Sequence, residues 1–234
     1  GMTAQGSGAK KKSKSIAMLE MSSKVALVSG FLLILLQPFI SMASFRLIEA
    51  SNEVEYLAKK YFGIRILAAP ATLMLYCFHG WFLGMQNARI PMFLVIITNL
   101  SNIILNLVLV MCLGMKVDGV ALGTVISQYI GLIMAVVLFW YHYRHLWQYR
   151  SSHRVLWRRF FFISGDIVIR TLSLVLCHAF FTSKSASLGD QILAVNTLLL
   201  QFISLLAFAV DGFAFAAECL IGKYKGEANQ SQLN

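Results

Sequence analysis

Charge is scarce in this sequence. Asp, Glu, Lys and Arg make up 13% of 234 residues, and only ten residues are acidic. A soluble domain carries about 25% charged residues, so an ordinary soluble enzyme and a charge-rich disordered chain are both excluded. Cysteine is sparse too. Cys77, Cys112, Cys177 and Cys219 fall in four separate apolar stretches, with no Cys-x-x-Cys pair and no Cys/His cluster. That excludes a disulfide-stapled secreted scaffold, gives no metal-ligand pattern, and points to buried thiols. Catalytic signatures are missing as well: there is no GxSxG, HExxH, P-loop or glycine-rich dinucleotide fingerprint. Asp166 and Asp211 lack the flanking glycine patterns of aspartyl intramembrane proteases. The chain is therefore not expected to be an enzyme.

Apolar surface is what the chain has in excess. Apolar residues make up 58% of it, with a mean hydropathy of +0.71. They form continuous runs rather than the alternation of a transmembrane β-barrel. A helical span needs about 20 such residues, and six segments qualify: Val25 to Ile48, Phe62 to Gln86, Pro91 to Leu113, Val120 to Tyr143, Phe160 to Ser183 and Ile192 to Ile221. The expected fold is all-α, a polytopic transmembrane bundle of six spans in the lipid bilayer. Residues 1–24 form a lysine-rich leading segment and residues 25–143 four helices. Residues 144–159 form a basic loop, residues 160–222 two further helices, and residues 223–234 a tail.

The net charge of +10 follows that topology. Thirteen Lys and Arg lie on the side shared by Lys10, Lys11, Lys12, Lys14, Lys24, Arg89, the 144–159 loop, Lys223 and Lys225. Six lie opposite, at Arg46, Lys59, Lys60, Arg65, Lys116 and Lys184. The positive-inside rule then places both ends in the cytoplasm. The aromatics sit inside the apolar runs, so no basic face interleaved with exposed rings is left for nucleic acid.

Proline occurs three times. Pro91 suits the first turn of a helix, after the tight loop from Asn87 to Ile90. Pro38 and Pro70 sit inside spans, where each removes a backbone donor and kinks its helix. Two readings stand for these kinks, a packing bend and a bending point for alternating access. Gly114 and Gly119 bracket a short turn.

Polar groups at membrane depth are costly and belong in a bundle interior or a wet cavity. Asn99, Asn102 and Asn106 share one helix stripe, with Thr124, Ser127 and Gln128 on the next span. They suit either interhelical hydrogen bonding or a polar, ion-linked cavity. Asp166 and Arg170 are four apart, a spacing that favours an intrahelical ion pair. His178 reads as a satisfied core histidine. The last span holds Asn196, Gln201, Asp211 and Glu218. Asp211 has no cation within one turn, which makes it a candidate to bind a proton or cation, or to pair with another helix.

These motifs together resemble the multidrug and toxic compound extrusion (MATE) transporters, most closely their DinF-type branch. The resemblance rests on Tyr61 to Pro70, Gly80-Trp81, Gly84 to Met92, Asn99 to Asn106, Gly119 to Thr124 and Gln128-Tyr129. It continues through Asp166-Ile167, Arg170-Thr171, Leu193 to Asn196 and Asp211 to Glu218. It covers nearly the whole chain and implies part of a twelve-helix, two-lobe fold, helices three to eight. Gly1 to Gln5 looks like the tail of helix two. Ala4-Gln5 with Gly8 echoes Ala217-Glu218 with Gly222, as a lobe repeat would. By this resemblance the chain is a fragment whose partners are the missing helices of the same protein.

The resemblance implies a plasma-membrane antiporter exporting amphipathic or cationic organic compounds, drugs and other xenobiotics, with H⁺ or Na⁺ as coupling ion and no other cofactor. Its network would include Tyr61, Asn102, Asn106 and Thr124, with Asn106 standing where the family has an aspartate. Asp166 and Arg170, then Asn196, Asp211 and Glu218, match motifs of the second lobe. Two other functions are compatible with the family. One is a lipid-linked carrier flippase, which would want a more cationic cavity than Arg65 and Arg170 supply. The other is a fragment that does not transport without its missing helices.

Overall fold

The computed structural model describes residues 2–9, 11–47, 52–149 and 154–227. Among these it forms eight α-helices and no strand. They are α1 (Met2–Gly8), α2 (Lys12–Leu47), α3 (Asn52–Arg65), α4 (Ala69–Gly84), α5 (Arg89–Leu107), α6 (Val117–Tyr143), α7 (Arg154–Ser187) and α8 (Asp190–Glu227). Four segments and α8 carry stretches long and apolar enough to cross a membrane: Lys12–Met42, Tyr56–Gly84, Arg89–Cys112, Val117–Tyr149 and Ala194–Glu227. In α7 the apolar stretch is the shorter Val168–Thr182. The chain divides into two compact units, residues 1–151 with 222–234, and residues 152–221.

In the first unit the spans are continuous but not uniform helices. The 36 residues of α2 reach about 54 Å at about 1.5 Å each, well beyond a hydrocarbon core of about 30 Å. Its first turns, which sequence places in a polar leading segment, bury Ser15, Ile16, Leu19 and Met21 in the core. Pro38 lies within α2. Pro70 marks a real break: α3 tightens into a 3-10 turn at Ile66–Ala68, and Pro70 then sits in the first turn of α4. There its missing N–H costs nothing. It also packs on α2 at Gly30, where any Cβ would strike the Pro70 backbone.

α4 ends in a Schellman motif. The N–H of Asn87 donates to the carbonyl of Phe82 at 3.0 Å and that of Gln86 to Leu83 at 2.9 Å, with Gln86 left-handed at φ 62°. Asn87 then accepts from the N–H of Ile90 and donates to the Tyr143 hydroxyl. The turn that starts α5 is thereby tied to the end of α6. After Leu107, α5 widens into a π-helical turn, Val108–Cys112, and the chain reverses at Gly114 (φ +65°). Gly119 lies in the first turn of α6 rather than in that reversal.

Two packing devices hold this unit. One is the aromatic core of Phe78, Trp81, Phe82, Phe139 and Tyr143, with edge-on contacts such as Trp81–Tyr143 at 5.0 Å. The Trp81 indole donates to the Ser15 carbonyl at 2.8 Å. The other is a stripe of small buried residues on α6, Gly119, Gly123, Ser127, Gly131 and Ala135, at every fourth position. It lets neighbouring backbones approach as small-residue faces do in membranes.

The second unit comprises most of α7 and α8, and its helices are widely exposed. Cys177 and His178 lie on the surface of α7, against the expectation of a buried thiol and a satisfied core histidine. Cys112 is likewise exposed, at the end of α5, and Cys77 and Cys219 are half-buried. Among the described residues α7 and α8 are tied near their shared turn by Asn196 and Ser185, and along the rest of their length they enclose no core, so their apolar side chains stay uncovered.

Candidate functional site

The expected amide stripe forms a directed hydrogen-bond chain between α5 and α6. The Asn106 side chain donates to the Asn102 carbonyl oxygen at 3.2 Å, and Asn102 donates to the Thr124 hydroxyl at 3.2 Å. Thr124 in turn donates to the backbone carbonyl of Val120, one turn back, at 2.9 Å. The first link is the i,i+4 pairing that the Asn102/Asn106 spacing allows. The second crosses between helices.

All three donors point one way along this chain. The direction leaves Asn106 Oδ1 at its open end. That oxygen is buried and has no hydrogen-bond partner among the described residues. It faces Gly123, where a Cβ would collide with it. Gly123 is thus the residue that admits Asn106 to the α5/α6 interface. Sequence reading of the amides missed it, although the four-residue repeat of small residues on α6 was a signal for it. A buried polar atom without a partner is costly, and it marks a place where a ligand, ion or water completes the set. Aligned hydrogen bonds polarise one another, so the open oxygen carries enhanced negative potential. The three side chains are neutral amides and a hydroxyl. What they can do is accept a cation or an N–H or O–H donor, rather than titrate.

The other candidates are distributed differently. Asn99 is exposed on α5 and lies outside the chain. Tyr61 is half-buried on α3 and makes no hydrogen bond to the set among the described residues. Another tyrosine joins the same region: the Tyr129 hydroxyl of α6 donates to the Leu67 carbonyl at 3.0 Å, in the 3-10 turn before α4. Beside that turn, Leu33, Phe62, Arg65, Ala69 and Thr72 line a cavity of about 260 Å³, and Thr72 Oγ1 is buried without a partner among the described residues. Beyond α5's π-helical turn, Lys60 of α3 forms an ion pair with Asp118 of α6.

In the second unit, Asn196 of α8 donates to the Ser185 hydroxyl of α7 at 2.8 Å, and Ser185 donates to the Phe181 carbonyl at 2.9 Å. Asn196 is therefore an interhelical tie. Arg170, Gln201, Asp211 and Glu218 are exposed on their helices. The Asp166 side chain, and with it the expected pair with Arg170, lies outside the described residues.

With this geometry in hand, the chain can be set beside known proteins. The family model MatE matches residues 1–108. The chain is 37% identical to DNA damage-inducible protein F of Escherichia coli (strain K12), across 100% of this chain and 52% of that protein. It is 26% identical to Protein DETOXIFICATION 43 of Arabidopsis thaliana, across 84% of this chain and 38% of that one. Its fold matches a multidrug resistance MATE family transporter of the MOP superfamily in an outward-facing conformation. The TM-score is 0.85 at 21% identity, over 99% of this chain and 53% of that one.

A polytopic helical bundle with polar groups between its spans is the class that fold and site define. Within it, the chain is similar to the MATE family, whose model matches its residues 1–108. It spans about half the length of the first of these relatives.

Proposed function

We propose that the chain is part of a secondary antiporter that exports amphipathic or cationic organic compounds in exchange for H⁺ or Na⁺. The observation that carries this reading is the directed chain from Asn106 through Asn102 and Thr124 to Val120, set between two helices able to cross a membrane. Its open acceptor, Asn106 Oδ1, supplies a site for a cation or for a donor on the substrate. The side chains of that chain hold no ionisable group, so proton exchange falls to carboxylates. Asp211 and Glu218 of α8, seven residues apart on one helix face, are the candidates. The coupling ion would bias the opening of a central cavity toward one side of the membrane, through its different affinity for the two states. In this reading the membrane is the plasma membrane and both ends of the chain are cytoplasmic.

A second reading is favoured by one observation. Asp211 and Glu218 lie on exposed faces of α8 among Phe202, Leu205, Leu206, Phe208 and Phe213, each well over half exposed. A continuous apolar face of this kind marks an interaction surface or a lipid contact. The chain would then transport only when further helices cover α8.

Dye efflux tests both. Cells would express this chain alone, and this chain joined to the preceding and following segments of the Escherichia coli relative. Efflux by the joined protein and not by the chain alone is expected. Efflux by the chain alone would overturn the need for further helices, and none from either would overturn export. In the efflux-competent form, Asp211→Asn is expected to abolish dependence on an imposed ion gradient. Unchanged coupling would remove Asp211 from the scheme.

A further inference from the structure

A second polar feature lies at the opposite end of the first unit from the Lys60–Asp118 pair, where α2 begins and α4 and α6 end. Gly6, Lys12, Ser15, Met85, Tyr143 and His145 line a cavity there of about 310 Å³. Three independent observations give it a preference for anions. The N-terminus of a helix carries partial positive charge, and α2 has no acidic residue in its first turn to offset it. That turn reads Lys12-Ser13-Lys14-Ser15 instead, directly after Lys11. Lys12 lies at the wall with its ammonium over the Tyr149 ring, 5.0 Å from the centroid, and the His145 ring beside it supplies an N–H donor.

The third observation is Ser15. Its residue is 1% exposed, and its hydroxyl has no hydrogen-bond partner among the described residues. A buried hydroxyl left unmatched costs free energy unless something arrives to accept from it. It stands close to Gly6, which keeps the wall open: a Cβ there would lie 2.9 Å from Ser15 Oγ. The indole of Trp81 donates to the Ser15 carbonyl and so holds the backbone that carries the hydroxyl.

We propose that this cavity binds a phosphate-bearing anion at the N-terminus of α2, with Lys12 and Ser15 as its ligands. The anion is either the phosphodiester headgroup of an anionic lipid or free inorganic phosphate. Helix N-termini flanked by lysine are suited to such groups. Apolar walls at Met85 and Leu146 suit the glycerol and upper acyl chain of a lipid.

The chain, purified in neutral detergent, would be titrated with phosphatidylglycerol, with phosphatidylcholine, and with sodium phosphate against sodium chloride at constant ionic strength. Melting midpoint and tryptophan fluorescence are the readouts, since Trp81 reports on Ser15. A saturable rise with phosphatidylglycerol and none with phosphatidylcholine is expected. Ser15→Ala and Lys12→Gln should each raise the half-saturating concentration roughly fivefold. Lys24→Gln, which removes the same charge from a lysine paired with Glu20, should leave it unchanged. Ser15→Ala removes an unmatched hydroxyl and so keeps the fold. Saturation by inorganic phosphate, with the same response of the variants, would support the site and name free phosphate as its ligand. Equal responses to the two lipids together with equal responses to phosphate and chloride would overturn the proposal. An effect of Lys24→Gln as large as that of Lys12→Gln would overturn it too, by showing only diffuse surface charge.

Discussion

Asn106 donates to the side-chain oxygen of Asn102 one turn earlier on the same helix, at 3.2 Å. Asn102 passes the direction on by donating to Thr124 of the next helix. The two amides are chemically identical but not energetically so. Asn102 both accepts and donates within the chain, while Asn106 makes one bond and leaves its own oxygen open.

This asymmetry predicts the order of two alanine substitutions. Asn102→Ala breaks two hydrogen bonds and should cost about 1–2 kcal/mol, at about 0.6 kcal/mol or more for each interhelical or intrahelical bond in a membrane. Asn106→Ala breaks one bond and also removes an unmatched oxygen, so its cost should stay below about 1 kcal/mol. Unfolding in mixed micelles with increasing denaturing detergent measures both. An equal cost, or the reverse order, would show that the directed chain does not exist.

Gly123 faces Asn106 across the interface, and Gly30 faces Pro70. Adding a methyl group at either overpacks a helix contact, typically at about 1–3 kcal/mol. Gly30→Ala should be the more damaging, because it meets backbone atoms of Pro70, whereas Gly123→Ala chiefly meets the end of a side chain. In a double-mutant cycle, Asn106→Ala should relieve part of the Gly123→Ala cost. Gly80→Ala is the matched control. Its Cβ meets nothing within 4 Å, and the helix propensity of alanine should make it neutral or stabilising by up to about 1 kcal/mol.

The Lys60–Asp118 ion pair should contribute little. Its lysine side chain is 46% exposed and its aspartate 26%, and exposed pairs add little to stability and are screened by salt. Asp118→Asn should therefore lower the melting midpoint only slightly at low salt and not at all at high salt. A large, salt-independent loss would mean that Asp118 has a buried role.

These sites differ in how far sequence alone could reach them. The helices of the first unit were legible because each apolar run is long enough to cross a membrane, and the Asn102–Asn106 bond because residues four apart share a helix face. Partners across helices were not, since Thr124 and Gly123 reach the amides only through the register of α5 on α6. The small-residue repeat on α6 held that information in part. Residues 12–24 are rich in lysine and so read as part of a polar leading segment before the first span. Yet Ile16, Leu19 and Met21 among them are buried, because this turn of α2 is packed on more than one side. In the second unit, burial was expected for Cys177 and His178 from apolar surroundings in sequence. Those apolar neighbours are themselves exposed, because no other described element covers them within that unit.

The two ends of the first unit supply the last test, of membrane orientation. Lys60 and Asp118 meet at one end, while Lys12, Met85 and Tyr143 border one cavity at the other. A bundle that crosses a bilayer must present these ends to opposite compartments. By the positive-inside rule, the excess of Lys and Arg at the Lys12 end predicts a cytoplasmic location for that end. Single cysteines at Lys116 and at Gln148, in a background where the four native cysteines are replaced by serine or alanine, report this directly. A membrane-impermeant maleimide added to intact cells should label Lys116→Cys. It should label Gln148→Cys only after the membrane is permeabilised. Labelling of both positions in intact cells would show that the unit does not span the bilayer. Labelling of Gln148→Cys alone would reverse the orientation, placing the α2 cavity and its lysines outside. An anionic lipid of the inner leaflet could not then reach that cavity.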